Sequence, residues 1–431
     1  MHPKLWVHYL LKVGCTLMLA NALRSFKSKL QTALNATDRR AKIQDSDLII
    51  GLLQAVSQAK GNFSLGDLHR SVCMFLGIKI GCSAFNERLG TKSLVKNLQF
   101  ALSVLMTSGF SKDPAATTLL KKIGVVEIIG IDASMVSLWD GLCEHFKGTF
   151  MTASVKLHLA INLVSGSIKW FAISAGATHD SRCFPSILKG VLYIFDLGYW
   201  SGKILKNIED KNAFFLSRLK SNATLTVVEV IHGIGQSIVG HDLLYFKIQR
   251  RRSTCVELIA SMQIAGVEMP FRVLGFWHKK ERVYRWYVTN LTCARGLIYD
   301  LYRLRWQIEL SFKAMKSTLN FDRIPTLNQN TVMAFTFLTL INYIFTIIVR
   351  EEARNQAIQQ KHPGADSTSI LRAAKIFSNG VNIIFDLLRL GKRITNQAIV
   401  RLTKKLLPLL SEALDPNYKK RKTTLGRLQN E

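Results

Sequence analysis

The stretch VVEIIGID, at residues 125–132, marks the point where the chain changes from helix to sheet. Its apolar, β-branched residues run almost unbroken up to a carboxylate, a pattern typical of a strand buried on both faces. A second such stretch, VLYIF at residues 191–195, also ends at an aspartate, Asp196. In an open α/β sheet, functional groups collect at the ends of such strands. The sequence therefore predicts that Asp132 and Asp196 lie on neighbouring strands of one sheet.

Each of these two aspartates has a plainer interpretation as the cap of the turn that follows its strand. A carboxylate beside a row of buried apolar residues is nevertheless costly unless a metal, a cation or hydrogen bonds offset it. For two such residues in a strongly basic chain, a shared metal site becomes a competing hypothesis.

Both ends of the chain are predicted to be helical. Residues 1–120 place apolar residues at spacings of three and four and contain few β-branched runs. Strand-like sequence dominates residues 200–290, a short helix is predicted near residues 185–188, and the chain is helical after Leu291. The predicted fold class is therefore α/β with helical N-terminal and C-terminal regions.

A possible DNA-reading element lies within the N-terminal helices. An S-x-x-D signature at residues 64–67 predicts the start of a helix, which two glycines then end before a second short helix at residues 83–89. This is the outline of a helix-turn-helix, although a plain helical hairpin fits the pattern equally well.

The composition indicates a folded protein with a polyanionic partner. The chain has 431 residues, with 58 Lys and Arg against 29 Asp and Glu, a net charge of +29 and 48% hydrophobic residues. A small disulfide scaffold and a disordered tail are both excluded. Excess positive charge over a folded chain is the footprint of a nucleic-acid binder. Its seven cysteines form no Cys-x-x-Cys pair, which argues against a zinc site and for a reducing cytosol.

Two apolar stretches raise the question of a membrane. Residues 5–22 resemble a signal peptide, but His8 and Lys12 interrupt the apolar core that such a peptide needs. Residues 331–349 carry no charge and are long enough to cross a bilayer. They include four threonines and Asn342, which would be costly against lipid. We therefore predict a buried core helix and a cytoplasmic protein.

The sharpest signal for chemistry is YRLRWQIELSFKAMK at residues 302–316. Treated as one continuous helix, this stretch places a carboxylate, three cations and a phenol on one face. The residues of this face are Tyr302, Arg305, Glu309, Lys313 and Lys316. A solvated face with ion pairs four residues apart is the alternative.

Three carboxylates from separate segments, set in basic surroundings, suit two Mg²⁺ ions that hold a phosphodiester. Hard divalent cations take oxygen ligands. Two ions about 3.5–4 Å apart activate the attacking oxygen and stabilise the leaving oxygen. Arginine and lysine on the same face would then clamp the phosphate oxygens.

The spacing Tyr302-x2-Arg305-x3-Glu309-x6-Lys316 resembles the Tyr-Arg-Glu-Lys signature of bacterial insertion-sequence DDE transposases. Segments at 131–134 (IDAS), 156–158 (KLH) and 195–199 (FDLGY) are similar to that family's motifs in the same order. The resemblance covers about residues 24–350.

This resemblance implies a ribonuclease-H-like catalytic core, interrupted by a mostly β insertion domain. It implies that Asp132, Asp196 and Glu309 are the catalytic residues and the ligands of two Mg²⁺ ions, for which Mn²⁺ can substitute. Asp180 competes with Asp196 as the second ligand; Asp196 is preferred because it ends a strand. It also implies DNA contacts by the four cationic or phenolic residues of the signature face, Tyr302, Arg305, Lys313 and Lys316. In several members a flipped base stacks on a tryptophan, for which Trp286 is the nearest candidate; a tryptophan buried in a strand is an equal alternative.

The expected division is into five regions. These are a helical DNA-binding region at 1–120, the first part of the core at 121–205, the β-rich insertion at 206–292, the catalytic helix and end of the core at 293–350, and a helical basic region at 351–431. The expected function is Mg²⁺-dependent cleavage of the ends of an insertion sequence in double-stranded DNA, followed by joining of the 3′-hydroxyl ends to target DNA. A homodimer in the cytoplasm, associated with the nucleoid, is expected. The alternative is a non-catalytic or domesticated DNA-binding protein of the same fold.

Overall fold

The computed structural model describes residues 18–34, 43–59, 63–107, 114–243, 253–389 and 408–417, together with residues 405, 424 and 428. The chain divides into two compact units. The helical unit comprises residues 1–110, 136–155 and 310–423, and the sheet unit comprises residues 111–135, 156–309 and 424–431.

The described residues of the N-terminal region are mainly helical, as predicted. Its helices are α1 (Met18–Leu34), α2 (Asp45–Gln58), α3 (Leu65–Leu76), α4 (Cys82–Leu89), α5 (Lys92–Met106) and α6 (Pro114–Ile123). The S-x-x-D signature is confirmed as a capping box, in which Ser64 and Asp67 each accept a hydrogen bond from the other's backbone N–H. Gly77 ends α3 in the left-handed conformation, and α4 follows after a short turn, so the predicted order of helix, turn and helix is confirmed. A DNA-reading role for it stays a prediction.

The uncharged stretch at 331–349 lies in α10 (Gln329–Gln359). This helix is apolar enough to cross a membrane, but 94% of its most apolar window is buried inside the protein. Several of its polar side chains have partners there: Thr336, Thr339 and Thr346 donate to carbonyls four residues earlier, and the amide of Asn342 donates to the carbonyl of Leu53 at 3.2 Å. Oδ1 of Asn342 is buried and has no partner among the described residues. α10 is thus a core helix, as predicted, and packs with α5 and α11 (Ile370–Arg389). The signal-like stretch and the basic C-terminal run lie almost wholly outside the described residues.

A nine-stranded mixed sheet forms the second part of the fold, in the order β3-β2-β1-β4-β5-β9-β8-β7-β6. The strands are β1 (Glu127–Ser137), β2 (Ser154–Asn162), β3 (Ile168–Ala175), β4 (Val191–Phe195), β5 (Phe214–Arg218), β6 (Thr226–His232), β7 (Cys255–Ile264), β8 (Val267–His278) and β9 (Val283–Thr289). β1, β4 and β5 are parallel neighbours, and β5, β9, β8, β7 and β6 pair antiparallel in turn.

The parallel strands are buried on both faces, which explains their unbroken apolar sequence. All five residues of β4 are buried, and so are four residues of β1, from Ile128 to Ile131. Gly130 is needed for close approach, because a Cβ there would lie 2.5 Å from a methyl group of Leu163. Three further helices belong to this part of the chain. They are α7 (Gly202–Asp210), which connects β4 and β5, and α8 (Arg295–Arg303) and α9 (Trp306–Ser317), which follow β9.

Several expectations about local structure are wrong. β1 does not end at Asp132 but continues to Ser137. Residues 185–188 form no helix, because the hydroxyl of Tyr193 accepts a hydrogen bond from the N–H of Leu188 and holds this segment extended. A helix, α7, interrupts the expected strand-rich region, because the parallel strands β4 and β5 need a crossover connection.

The stretch at residues 302–316 is not one continuous helix. α8 ends at Arg303, and α9 begins at Trp306. Between them the backbone is wound more tightly, with hydrogen bonds over three residues from Arg305 to Tyr302 and from Ile308 to Arg305. Five strands and the second half of α7 lie within residues 206–292, and the division of the chain into five regions stays a prediction.

Candidate active site

Asp132 and Asp196 lie at the same level on two parallel strands. The paired residues of β1 and β4 end with Ile131 opposite Phe195, so each aspartate is the next residue on its strand. On the third parallel strand, Ser217 lies opposite Phe195, which places Arg218 at this level as well. The predicted proximity of the two aspartates follows from this register, although Asp132 is not the end of its strand.

Glu309 is joined to this edge of the sheet by an arginine. The guanidinium of Arg305 donates from Nη1 to Oδ2 of Asp132 at 3.2 Å and from Nη2 to Oε1 of Glu309. The side chain of Arg305 is only 16% exposed, whereas those of Asp132 and Glu309 are 19% and 30% exposed. One buried cation therefore links two of the three predicted metal ligands.

The site is crowded with negative charge. The pKa of Asp132 is raised to about 6, chiefly by burial and also by the carboxylates of Asp196 and Glu309, while Arg305 and the N–H of Ala133 act in the opposite direction. These two acidic neighbours show that all three predicted ligands share one electrostatic environment.

Tyr302 packs beside this arginine with its hydroxyl unsatisfied. Its ring centroid lies 4.9 Å from that of Tyr287, and the guanidinium carbon of Arg305 lies 5.7 Å from the Tyr302 centroid. Burial raises the pKa of Tyr302. Both its hydroxyl and Nε of Arg305 are buried and have no hydrogen-bond partner within the part of the chain that the structure describes. Buried donors of this kind are costly, and at functional sites a ligand commonly satisfies them.

A cavity of about 430 Å³ opens beside these two residues. Arginine and tyrosine side chains dominate its lining, and Trp306, which is 59% exposed, contributes to its wall. The lining residues are Arg218, Arg285, Tyr287, Tyr299, Tyr302, Arg303, Arg305, Trp306, Gln307 and Thr424. Cations and aromatic rings together are the surface that binds the backbone and bases of a nucleic acid.

Sequence reasoning missed most members of this cavity, among them Arg218, Arg285, Tyr287 and Tyr299. Arg218 carried a usable signal, since it is the last residue of a strand parallel to those that carry Asp132 and Asp196. The other three carried none, because Arg285 and Tyr287 reach the site through the pairing of β9 with β5, in which Tyr287 lies opposite Arg218, and Tyr299 reaches it through the packing of α8 against β5.

Three predicted DNA contacts are not brought to this cavity. Lys313 and Lys316 lie four and seven residues after Glu309 on α9, with Lys313 exposed and Lys316 half-buried, so that burial lowers the pKa of Lys316. Trp286 lies on β9 between two cavity residues, and so its side chain points to the other face of the sheet. There its ring covers Gly275, where a Cβ would lie 2.6 Å away, and packs against the apolar core.

Comparison with known proteins identifies the family of this chain. A family model described as the transposase DDE domain matches residues 128–345, just over half of the chain. The transposase for insertion sequence element IS231C of Bacillus thuringiensis subsp. berliner is 23% identical over 427 residues, covering 88% of this chain and 87% of that protein. The transposase for element IS231B of the same subspecies is 23% identical over 436 residues, covering 88% and 87%.

Among solved structures, the piggyBac transposase synaptic complex with hairpin DNA aligns at a TM-score of 0.44 and 12% identity. That alignment covers 94% of this chain and 87% of the other. The matched residues 128–345 contain Asp132, Asp196 and Glu309, and with half of its length matched, the chain belongs to the transposase DDE domain family.

Proposed function

We propose that this chain is a transposase of the insertion-sequence type, with Asp132, Asp196 and Glu309 as its metal-binding carboxylates. Family membership implies a DNA-cleaving, metal-dependent enzyme. One observation carries the assignment of the site: Arg305 bonds two of these carboxylates, while its Nε and the hydroxyl of Tyr302 are unsatisfied among the described residues. Ligands for a cation and donors for a phosphate thus lie side by side.

The carboxylates fit Mg²⁺ by their donor chemistry, since hard cations take oxygen ligands, and Mn²⁺ suits the same ligands. Among the described residues, no three His, Cys, Asp or Glu side chains converge closely enough to hold an ion as they stand. Arg305 lies between Asp132 and Glu309, so these carboxylates become available when the guanidinium moves away. Two bound ions would supply activation of the attacking oxygen and stabilisation of the leaving oxygen.

The side chains of this chain would hold and orient the phosphodiester. Arg305, released from the carboxylates, would donate to non-bridging phosphate oxygens, and Tyr302 would donate from its free hydroxyl. In the first reaction, water attacks the phosphorus at the end of the element, and the P–O bond to the 3′ oxygen breaks. In the second, that 3′-hydroxyl attacks a phosphodiester of target DNA, forming one P–O bond as another breaks. Lys313 and Lys316 would contact the DNA backbone further along α9.

The partner proposed for this site is double-stranded DNA, at the element's ends and at the target. The net charge of +29 supports this, because each neutralised phosphate releases counterions. Two DNA ends must be held together, and so a homodimer is proposed, acting at the nucleoid in the cytoplasm.

The test is cleavage by the purified chain of linear DNA that carries the element's own ends, with Mg²⁺ present. Asp132→Asn, Asp196→Asn and Glu309→Gln should each abolish cleavage and leave DNA binding within about threefold of the original, because binding rests mainly on the basic surface. Asp210→Asn makes the same chemical change in an exposed ion pair on α7 and should cleave normally. Cleavage that survives in Glu309→Gln would contradict the assignment. DNA binding without any cleavage by the original chain would favour the non-catalytic alternative.

A further inference from the structure

A buried ion pair that the proposed reaction does not use lies beside the turn that follows β4. Nζ of Lys156 contacts Oδ1 of Asp180 at 2.9 Å and donates to the carbonyl of Thr178 at 2.7 Å. The two side chains are 11% and 27% exposed, and Lys156 is flanked along β2 by buried apolar residues. A buried pair of this kind adds little net stability after desolvation, so its value lies in fixing a geometry.

The second oxygen of Asp180 lies against the backbone of Gly198. A Cβ on Gly198 would lie 2.4 Å from Oδ2 of Asp180, so this position must be glycine for the carboxylate to approach. Gly198 is the middle residue of a short 3₁₀ turn, Leu197–Tyr199, whose N-cap is Asp196. The ion pair therefore touches the backbone two residues from a proposed metal ligand.

The same turn is held from a second direction by His158. The hydroxyl of Tyr199 lies 2.8 Å from Nδ1 of His158, and Nε2 of His158 lies 2.9 Å from the hydroxyl of Ser174. Lys156 and His158 are two residues apart on β2, so they point to the same face of the sheet. The segment Lys156-Leu157-His158 thus presents two polar side chains that fix the turn, one through Asp180 and one through Tyr199.

Asp180 is not positioned as a metal ligand itself. One of its carboxylate oxygens bonds Lys156, and the other packs against Gly198. Asp180 and Asp196, the two candidates for the second metal ligand, are therefore assigned different roles.

We propose that Asp180, held by Lys156, is a positioning residue that orients Asp196 for metal binding through its contact with Gly198. This inference rests on the proposed function, in which Asp196 is a ligand. Groups that orient a metal ligand typically contribute about 10- to 100-fold to metal affinity. The pair acts as a unit, since Lys156 contacts the turn through the carboxylate of Asp180.

The test measures the Mn²⁺ dissociation constant of the full-length chain without DNA, by electron paramagnetic resonance of free Mn²⁺. Asp180→Asn and Lys156→Met should each weaken Mn²⁺ binding about 10-fold or more, and the double variant should be no weaker than the weaker single variant. Cleavage by Asp180→Asn should recover at high Mn²⁺ concentration. Asp196→Asn should not recover.

Gly198→Ala provides a second variant, which leaves both charges in place and breaks only the contact. It should also weaken Mn²⁺ binding while the chain remains folded by circular dichroism. Two results would overturn the inference. One is an unchanged Mn²⁺ affinity in folded Asp180→Asn or Gly198→Ala. The other is a double variant in which the losses of Mn²⁺ affinity from Asp180→Asn and Lys156→Met multiply, which would make Asp180 a ligand in its own right. Full Mn²⁺ affinity in Asp196→Asn would instead overturn the proposed function.

Discussion

Arg305 donates a hydrogen bond of 3.2 Å from its guanidinium to Asp132, a residue 173 positions earlier in the chain. The same guanidinium bonds Glu309. A positive group thus stands between two carboxylates that are proposed to bind a cation. Arg305 is the counter-ion of the site without metal and, in the proposed reaction, a ligand of the DNA phosphate.

Arg305→Gln should therefore have opposite effects on two ligands. Removal of the counter-ion should strengthen Mn²⁺ binding about tenfold in the absence of DNA, while the loss of a phosphate contact weakens DNA binding. Titration calorimetry with Mn²⁺ and fluorescence anisotropy with DNA measure the two quantities. Arg303→Gln is the matched control, because Arg303 lines the same cavity but pairs with Asp300 instead of Asp132 or Glu309. Weaker Mn²⁺ binding in Arg305→Gln would contradict the counter-ion role.

Tyr302→Phe removes a buried hydroxyl that has no partner among the described residues. The free energy of unfolding should stay the same or rise slightly, since no hydrogen bond is lost, whereas DNA binding and cleavage should fall. The control is Tyr343→Phe, because the hydroxyl of Tyr343 lies 2.9 Å from that of buried Ser311 and its loss should cost about 1 kcal/mol. Urea denaturation and DNA titration measure these effects. A destabilised Tyr302→Phe with normal DNA binding would assign the hydroxyl a structural role.

Alanine substitutions of the two tryptophans near the cavity should affect different properties, DNA binding in one case and the free energy of unfolding in the other. Trp306 is 59% exposed in the wall of the cavity, so Trp306→Ala should weaken DNA binding and change the free energy of unfolding by less than about 1 kcal/mol. Trp286 packs over Gly275 and against the core, so Trp286→Ala should cost about 3 kcal/mol or more. Thermal unfolding and DNA anisotropy distinguish the two. If Trp286→Ala is stable and binds DNA poorly, Trp286 regains its predicted role.

His158 should make the stability of the chain depend on pH. Burial lowers the pKa of His158 from 6.5 to about 4. Between these values the unfolded chain binds a proton that the folded chain does not, and so this residue lowers the free energy of unfolding as the pH falls from 6.5 towards 4. In His158→Gln this contribution is absent. The difference in urea midpoint between the two proteins should therefore change between pH 7.5 and pH 5, and a constant difference would show that His158 does not titrate as expected.

Local features of the fold were predictable from the order of residues. The apolar runs that end at Asp132 and Asp196 predicted buried strands, and the S-x-x-D signature predicted the start of α3, because both patterns depend only on neighbours in the chain. The break between Arg303 and Trp306 was not predictable. Helical periodicity describes a regular helix, and the tighter turn arises where Tyr302 and Arg305 pack into the site.

The sequence by itself singled out the residues that are proposed to carry the chemistry: two aspartates that follow apolar runs, and a glutamate four residues after an arginine. Only the tertiary structure decided that this arginine reaches across to Asp132, that Arg218 and Tyr287 join the cavity, and that Trp286 points away from it. The reason is physical. Spacing along the chain sets distances within a helix or a strand, whereas contacts between distant segments depend on strand register and on how the core packs.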